Sequence, residues 1–171
     1  MASSRFWLTG LALSAALGSV ALSSAAPIKR AQTPSVSPDG KTLLFSWQDD
    51  LWSVPVTGGR ATRLTVHPAA DTAPRWFPDG KRIAFVSNRY GNNDLFTMSA
   101  TGEDIRRVTF GSSTEYLWSV SADGKNLFGY TTAFGRINPF CVPASGGDLI
   151  ALNDHPLELT YFPSPSPDGK Q

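Results

Sequence analysis

The sequence has one cysteine, two histidines and no long run of charge of one sign. Cys141 has no second cysteine to pair with, so an internal disulfide is excluded. The longest basic run is Arg106–Arg107, too short for the basic patches that bind a phosphate backbone, so we expect no nucleic-acid partner. His67 and His155 each precede a proline and lack a third ligand at a motif spacing. We therefore expect neither a metal nor another cofactor.

The one long apolar run lies at the N-terminus, over Phe6–Leu22. It follows the basic Arg5 and precedes the small residues Ser23–Ala26, which is the pattern of a secretory signal peptide. We expect cleavage after Ala25, because cleavage one residue later would leave Pro27 at the first mature position. The sequence thus predicts a signal peptide over residues 1–25 and a short N-terminal segment over residues 26–32.

Export has consequences for charge and location. Of the 15 basic residues only Arg5 lies in the signal peptide, so 14 basic residues remain against 14 acidic ones. We expect a periplasmic or secreted chain with no stable membrane anchor after cleavage. The alternative is an uncleaved anchor, because the apolar run is about as long as a short membrane-spanning helix.

A pentapeptide returns four times along the chain, as SPDGK, FPDGK, SADGK and SPDGK. Proline presets φ, aspartate bonds to the nearby backbone and glycine takes the left-handed conformation, so the pattern predicts a hairpin turn. We assign these residues a structural role and no catalytic one. The turn residues are Pro38, Asp39, Gly40, Pro78, Asp79, Gly80, Asp123, Gly124, Pro167, Asp168 and Gly169.

The turns divide the chain into units of about 44 residues, each with four short segments. The second segment is apolar at adjacent positions, as in Leu43–Phe45 and Ile83–Val86, which predicts a strand covered on both faces. The fourth carries Arg63 or Arg107, which is typical of an outer edge strand. No segment of ten or more residues after the N-terminal run has a helical period. These features predict an all-β fold, a partial β-propeller.

Three complete four-stranded blades are expected at about residues 33–73, 74–115 and 116–160, with the start of a fourth at residues 161–171. Propellers close with about 4 to 8 blades. We therefore expect the sequence to be the N-terminal fragment of a longer chain, whose remaining blades are its partners in the ring. The alternative, an open array of three blades, would leave apolar blade faces in water.

The second unit, FPDGKRIAFVSNRYGNNDLFTMSATGEDIRRVTFG (Phe77–Gly111), resembles the PD-type, WD-like repeat of TolB-like proteins and tricorn-type peptidases. The first unit, Thr33–Lys81, resembles the opening blades of tricorn-like proteases, with a short DDLW loop and an RLT-HP exit. A TolB-like protein would place a separate α/β domain before its propeller. Only the short segment of residues 26–32 is expected here between the signal peptide and the first blade, which counts against TolB itself. The third unit departs most, with Pro139 and Phe140 in place of Leu and Trp, and Gly129 in place of a strand Phe.

The resemblance to tricorn-like enzymes implies a propeller that filters or guides peptides toward a serine-peptidase domain further along the chain. We therefore expect a peptide or protein ligand, and no catalytic residue can be carried over. A TolB-like periplasmic protein-binding scaffold and the propeller of a prolyl-oligopeptidase-type hydrolase remain as alternatives. The G-x-S-x-G elbow of the latter class is absent from the sequence.

Two features have a reactive interpretation and a structural one. Cys141 could form a nucleophilic pair with His155, but it aligns with Ser53 and Thr97, which favours a small strand residue. The loop Asn88–Asp94 offers oxygen ligands for calcium, but it does not match the twelve-residue calcium loop. We favour the structural interpretation of both.

Aromatic residues recur at fixed places in the units. Trp52, Phe96 and Phe140 align with one another, so we expect them to pack in the core. Trp47 and Trp118 have no aromatic counterparts in the other units. These two are the aromatic candidates for a ligand surface.

Overall fold

The computed structural model describes residues 28–135 and 137–152, and its regular elements in these ranges are β-strands. The first sheet contains β1 (Gln32–Val36), β2 (Thr42–Trp47), β3 (Asp50–Pro55) and β4 (Thr62–Arg63). The second contains β5 (Asp71–Trp76), β6 (Arg82–Ser87), β7 (Asp94–Ser99) and β8 (Arg106–Arg107). The third contains β9 (Glu115–Val120), β10 (Asn126–Thr131), β11 (Asn138–Pro143) and β12 (Ile150–Ala151).

Each sheet is an antiparallel meander in which consecutive strands are neighbours. The predicted all-β fold with three four-stranded blades is confirmed. The second sheet begins at Asp71 and the third at Glu115, against predicted blade starts at 74 and 116. The described residues include no helix long and apolar enough to cross a membrane. The signal peptide and the start of a fourth blade, with Pro167, Asp168 and Gly169, lie outside the described residues.

The PDGK-type turns join the first and second strands of each sheet. Gly40, Gly80 and Gly124 have φ values of 71°, 65° and 69°, in the left-handed region that favours glycine. The N–H of Gly40 donates to the carbonyl of Ser37 at 2.9 Å, and Asp39 Oδ1 accepts from the N–H of Lys41 at 3.1 Å. The aspartate carboxylate thus stabilises the turn by accepting a hydrogen bond from a backbone N–H, which is why Asp is favoured at this position.

The second sheet is covered on both faces. Side chains alternate along β6, so Ile83 and Phe85 enter the apolar cluster shared with the first sheet, whereas Ala84 and Val86 enter the cluster shared with the third. This explains why the second segment of each unit is apolar at adjacent positions. The first strand of each sheet contacts the first strand of the next, β1 with β5 and β5 with β9, so successive blades pack along their first strands.

Gly129, the residue that departs from the repeat in β10, is required by a close approach of the neighbouring backbone. The register between β9 and β10 shifts between Phe128 and Gly129. A Cβ at Gly129 would lie 1.8 Å from the carbonyl oxygen of Tyr116. No side chain fits there. The first two sheets have a similar register shift between their first and second strands but carry Phe45 and Phe85 at this position, so the close approach of the Tyr116 carbonyl, and not the shift itself, requires the glycine.

Backbone bonds join each sheet to the next. The N–H of Asp71 donates to the carbonyl of Asp49 at 2.8 Å, and the N–H of Glu115 donates to the carbonyl of Asn93 at 2.9 Å. In the loop Asn88–Asp94, Asn88 Oδ1 accepts from the N–H of Ala70 at 2.9 Å. This loop therefore fastens the link between the first and second blades.

Candidate functional site

Buried acidic side chains gather at one end of the sheets, where β3, β5, β7 and β9 begin. They are Asp50, Asp71, Asp94 and Glu115, each at most 4% exposed. A buried carboxylate must be paired or hydrogen-bonded to be tolerated. The partners of these four groups decide whether this end of the molecule is structural or reactive.

Asp94 is held by a cation and a hydroxyl from the same blade. Arg107 Nη2 lies 2.7 Å from Asp94 Oδ2, and the Thr109 hydroxyl oxygen lies 3.4 Å from Asp94 Oδ1 while accepting from the N–H of Leu95 at 2.9 Å. The first blade repeats this arrangement with Asp50, Arg63 and Thr65. The repetition indicates a structural cluster that ties the third strand of a blade to its exit.

Asp71 and Glu115 occupy equivalent positions but differ in their partners. Arg89 Nη2 contacts both oxygens of Asp71, at 2.9 and 3.0 Å. Ala133 stands in the third unit where Arg89 stands in the second, and Glu115 is instead bound by hydroxyls, among them Ser113 at 2.6 Å and Thr131 at 2.9 Å.

Burial raises the pKa of Glu115, and the charge of nearby Asp94 acts in the same direction, whereas the hydroxyl bonds from Ser113, Thr131 and Thr109 lower it. Thr109 Oγ1 lies 3.3 Å from Glu115 Oε2 and 3.4 Å from Asp94 Oδ1. Glu115 is therefore coupled to the structural cluster of the second blade, at its joint with the third.

An arginine sandwiched by aromatic rings stands at the same end of the second blade. Arg107 Cζ lies 4.5 Å from the ring centre of Tyr90 and 4.9 Å from that of Phe110. Tyr90 and Phe110 are 62% and 71% exposed. Tyr90 also stacks on the buried ring of Phe96 at 6.2 Å. The two rings shield Arg107, whose side chain is 19% exposed, and they strengthen its ion pair with Asp94.

A groove of about 450 Å³ opens between the second and third blades. It is lined by Arg82, Thr97, Met98, Ser99, Asp104, Arg106, Arg107, Val108, Ala144 and Ser145. Val108 and Ala144 belong to the apolar cluster between these two blades and form its base. Guanidinium and hydroxyl donors stand above that base, so the groove combines apolar contact with hydrogen-bonding capacity.

Four of the groove residues project from one face of the second sheet. Arg82 is opposite Ser99 across the β6–β7 pair, and Arg106 is opposite Thr97 across the β7–β8 pair. Residues directly opposite in an antiparallel pair share a face, and so do residues two apart along a strand. Arg82, Thr97, Ser99 and Arg106 therefore point toward the third blade, as Ala84 does.

The residues that the sequence offered for reactive chemistry do not form a reactive pair within the described ranges. Cys141 is a free, half-buried thiol, and burial raises its pKa, the opposite of what activates a nucleophile. His67 Nδ1 accepts from the N–H of Ala69 at 3.0 Å, and His155 lies outside the described residues. Within residues 28–135 and 137–152, no three His, Cys, Asp or Glu side chains are grouped to hold a metal.

The aromatic residues divide between core and joints. Phe96 and Phe140 are buried as predicted, whereas Trp52, the third residue of the aligned set, is only half-buried. Trp47 packs edge-on against Trp52 at 5.4 Å, and its N–H donates to the carbonyl of Lys29 at 3.0 Å. The carbonyl of Trp118 accepts from Arg75 Nε at 2.8 Å. Trp47 therefore supports the entry of the chain into the first blade.

The groove was missed from sequence because its members come from separate strands and from two blades. One signal was available in the repeat. Arg82 and Arg106 stand at positions where the first unit has threonines, Thr42 and Thr62. A charged residue that departs from a repeat at a strand position points to a feature that the other blades do not share.

Comparison with known proteins shows the family of this propeller. The family model described as the tricorn protease N-terminal beta propeller domain matches residues 29–171. Tricorn protease homolog 1 of Streptomyces coelicolor is 33% identical over 124 residues, covering 70% of this chain and 12% of that protein. Dipeptidyl-peptidase 5 of Porphyromonas endodontalis is 36% identical over 105 residues, covering 54% of this chain and 15% of that protein.

The solved structure of TolB from Acinetobacter baumannii matches with a TM-score of 0.68 and 29% identity, covering 81% of this chain and 35% of the TolB chain. The chain thus spans only a small part of the curated relatives, 12% and 15% of their lengths. The resemblance to tricorn-like and TolB-like propellers is confirmed. The chain belongs to the family of tricorn protease N-terminal β-propeller domains.

Proposed function

We propose that this chain is the peptide-binding propeller of an exported tricorn-like serine peptidase, and that it selects or guides substrate segments without cleaving them. The observation that carries the proposal is the groove between the second and third blades, about 450 Å³ in volume, in a propeller of this family. A groove with an apolar base and hydrogen-bond donors at its rim suits an extended peptide.

Catalysis is assigned to another part of the full protein. The match covers 12% of Tricorn protease homolog 1, whose name denotes a protease. Export is assigned from the basic residue, apolar run and small residues of segment 1–25. The N-terminal residue of the mature protein, read by mass spectrometry, tests cleavage of the signal peptide: Ala26 supports cleavage after Ala25, and an intact N-terminus contradicts it.

A second candidate is a protein-binding scaffold without catalysis. The match to TolB, at 29% identity and a TM-score of 0.68, favours it. The match to a dipeptidyl-peptidase keeps the propeller of a prolyl-oligopeptidase-type hydrolase as a third candidate. Turnover of fluorogenic peptides by the full protein separates the first and third candidates from the second.

Binding itself is tested by closing the groove. Ser145 is an exposed groove residue in the turn between β11 and β12, and Thr57 is its counterpart in the first blade. We expect Ser145→Trp to weaken peptide binding by the full chain about tenfold, because the indole fills the groove, and Thr57→Trp to leave it unchanged. Equal affinities for both variants and the wild type, measured by fluorescence anisotropy, would contradict the proposal.

A further inference from the structure

Two arginines of the second unit depart from the other units, and both line the groove. Arg82 and Arg106 lie on β6 and β8, on either side of β7. They share the face of the second sheet that is turned toward the third blade. Their counterparts in the first and third units are Thr42, Asn126, Thr62 and Ile150.

Arg82 is held in place by its own blade. Its guanidinium lies 4.0 Å from the ring centre of Phe77, and its Nε lies 3.4 Å from Asp79 Oδ2. Phe77 itself departs from the repeat, which has serine at that position in the first and third units. The cation–π contact orients the side chain, and the ion pair engages only Nε, so the Nη donors remain for a ligand.

Arg106 supplies the second set of donors. Its side chain is exposed, and no ion pair links it to another of the described residues. Thr97, directly opposite across the β7–β8 pair, adds a hydroxyl on the same face of the sheet. The neighbouring Arg107 has the opposite orientation on β8 and is occupied by Asp94. Asp104 is the one carboxylate in the groove lining.

The turn between the third and fourth strands of the third blade also lies farther from the preceding blade than its counterpart in the second blade does. A Cβ at Gly102 would lie 2.5 Å from the carbonyl oxygen of Leu64 in the first blade. At the equivalent joint, a Cβ at Gly146 would lie 3.5 Å from the carbonyl oxygen of Val108. The turn of the third blade therefore stands back from the second blade, next to the two arginines.

We propose that this groove recognises an acidic side chain, Asp or Glu, within an extended peptide segment, and that Arg82 and Arg106 bind its carboxylate. Guanidinium groups form paired, charge-assisted hydrogen bonds with carboxylates, and partial enclosure strengthens them. The apolar base of Val108 and Ala144 accommodates the aliphatic part of the ligand. This inference rests on the proposed peptide-binding function and adds the class of segment that is bound.

The test uses fluorescein-labelled peptides that are acetylated and amidated at their ends, so that the only carboxylate is a side chain. Each Glu peptide is matched by a Gln peptide of otherwise identical sequence. With the full chain, we expect the Glu peptide to bind about tenfold more tightly than its Gln match in anisotropy measurements. Arg106→Gln should bring the two affinities to within about twofold of each other.

The control is Arg60→Gln, which removes the same charge from the exposed turn of the first blade. It should leave the preference for Glu unchanged. Asp104→Asn should strengthen binding of the Glu peptide, because it removes the repelling carboxylate from the groove lining. Thermal unfolding of each variant establishes that it is folded.

The outcomes separate the two proposals. Binding of Glu and Gln peptides with equal affinity would overturn the acidic preference and leave the peptide-binding function standing. Binding of an uncapped version of the peptide, but of neither capped peptide, would overturn it as well, because the groove would then recognise a free C-terminus. A failure of every peptide to bind the wild-type chain would contradict both.

Discussion

Arg107 pairs with the buried Asp94 at 2.7 Å, and the third unit lacks both partners at once, with Asn138 at the position of Asp94 and Ala151 at that of Arg107. Asp94→Asn should lower the free energy of unfolding by about 3 kcal/mol, because it leaves a shielded guanidinium without a counter-charge. Urea unfolding of the full chain, followed by tryptophan fluorescence, measures the change.

The double variant Asp94→Asn with Arg107→Ala reproduces the third unit in the second. We expect it to recover at least half of the stability that the single variant loses, since no uncompensated charge remains. Additive losses from the two substitutions would show that the pair does not act as a unit.

Gly102 reports on the contact between the first and second blades. Its φ is 89°, and a Cβ would lie 2.5 Å from the carbonyl oxygen of Leu64. Gly58 has nearly the same φ, 86°, but a Cβ there meets nothing within 4 Å. Gly58→Ala should therefore cost about 1 kcal/mol, the backbone strain alone, and Gly102→Ala should cost about 3 kcal/mol.

Chemical unfolding of the two glycine variants gives the comparison. The excess loss at Gly102 measures the blade-to-blade contact, because the conformational strain is common to both sites. Equal losses at the two positions would mean that the first and second blades are not packed as described.

Glu115 makes the stability depend on pH in an unusual direction for a carboxyl group. Its pKa in the folded protein is raised above the ordinary value of 4.5, so the folded state binds the proton more tightly than the unfolded state does. The contribution to stability is greatest below 4.5 and is lost as pH rises through the folded pKa. Burial raises the pKa of Glu115 and the charge of nearby Asp94 also raises it, and Asp94 is itself paired with Arg107 at 2.7 Å.

Glu115→Gln should remove this loss, so the variant gains stability relative to the wild type as pH rises above 4.5. The free energy of unfolding of both proteins, measured at several pH values from 4.5 to neutrality, tests the sign. Glu103→Gln, at an exposed turn residue, is the matched control and should follow the wild type. A difference between wild type and Glu115→Gln that does not change with pH would exclude the effect.

The repeat made much of the fold predictable, because turn chemistry and strand burial are encoded within a few residues. Proline, aspartate and glycine set the hairpin locally, and the adjacent apolar residues of Ile83–Val86 predicted a strand packed on both sides. Gly129 could not be explained in this way, because the approach of the Tyr116 carbonyl depends on the pairing of β9 with β10.

The groove was beyond the sequence for a related reason. Arg82 and Arg106 are far apart in the chain, and only the strand register places them on one face of the second sheet. The spacing between the second and third blades depends on side chains from both, such as Val108 and Ala144. Departures from the internal repeat would have indicated the two arginines, but not that they share one face of the sheet.

Hydrogen exchange of the full chain, with and without a saturating capped Glu peptide, locates the bound segment directly. We expect slower exchange in residues 97–108 and 144–148, which carry the walls of the groove, and unchanged exchange in the turns of the first blade. Protection confined to the first strands β1, β5 and β9, or no protection anywhere despite measured binding, would contradict a peptide site between the second and third blades.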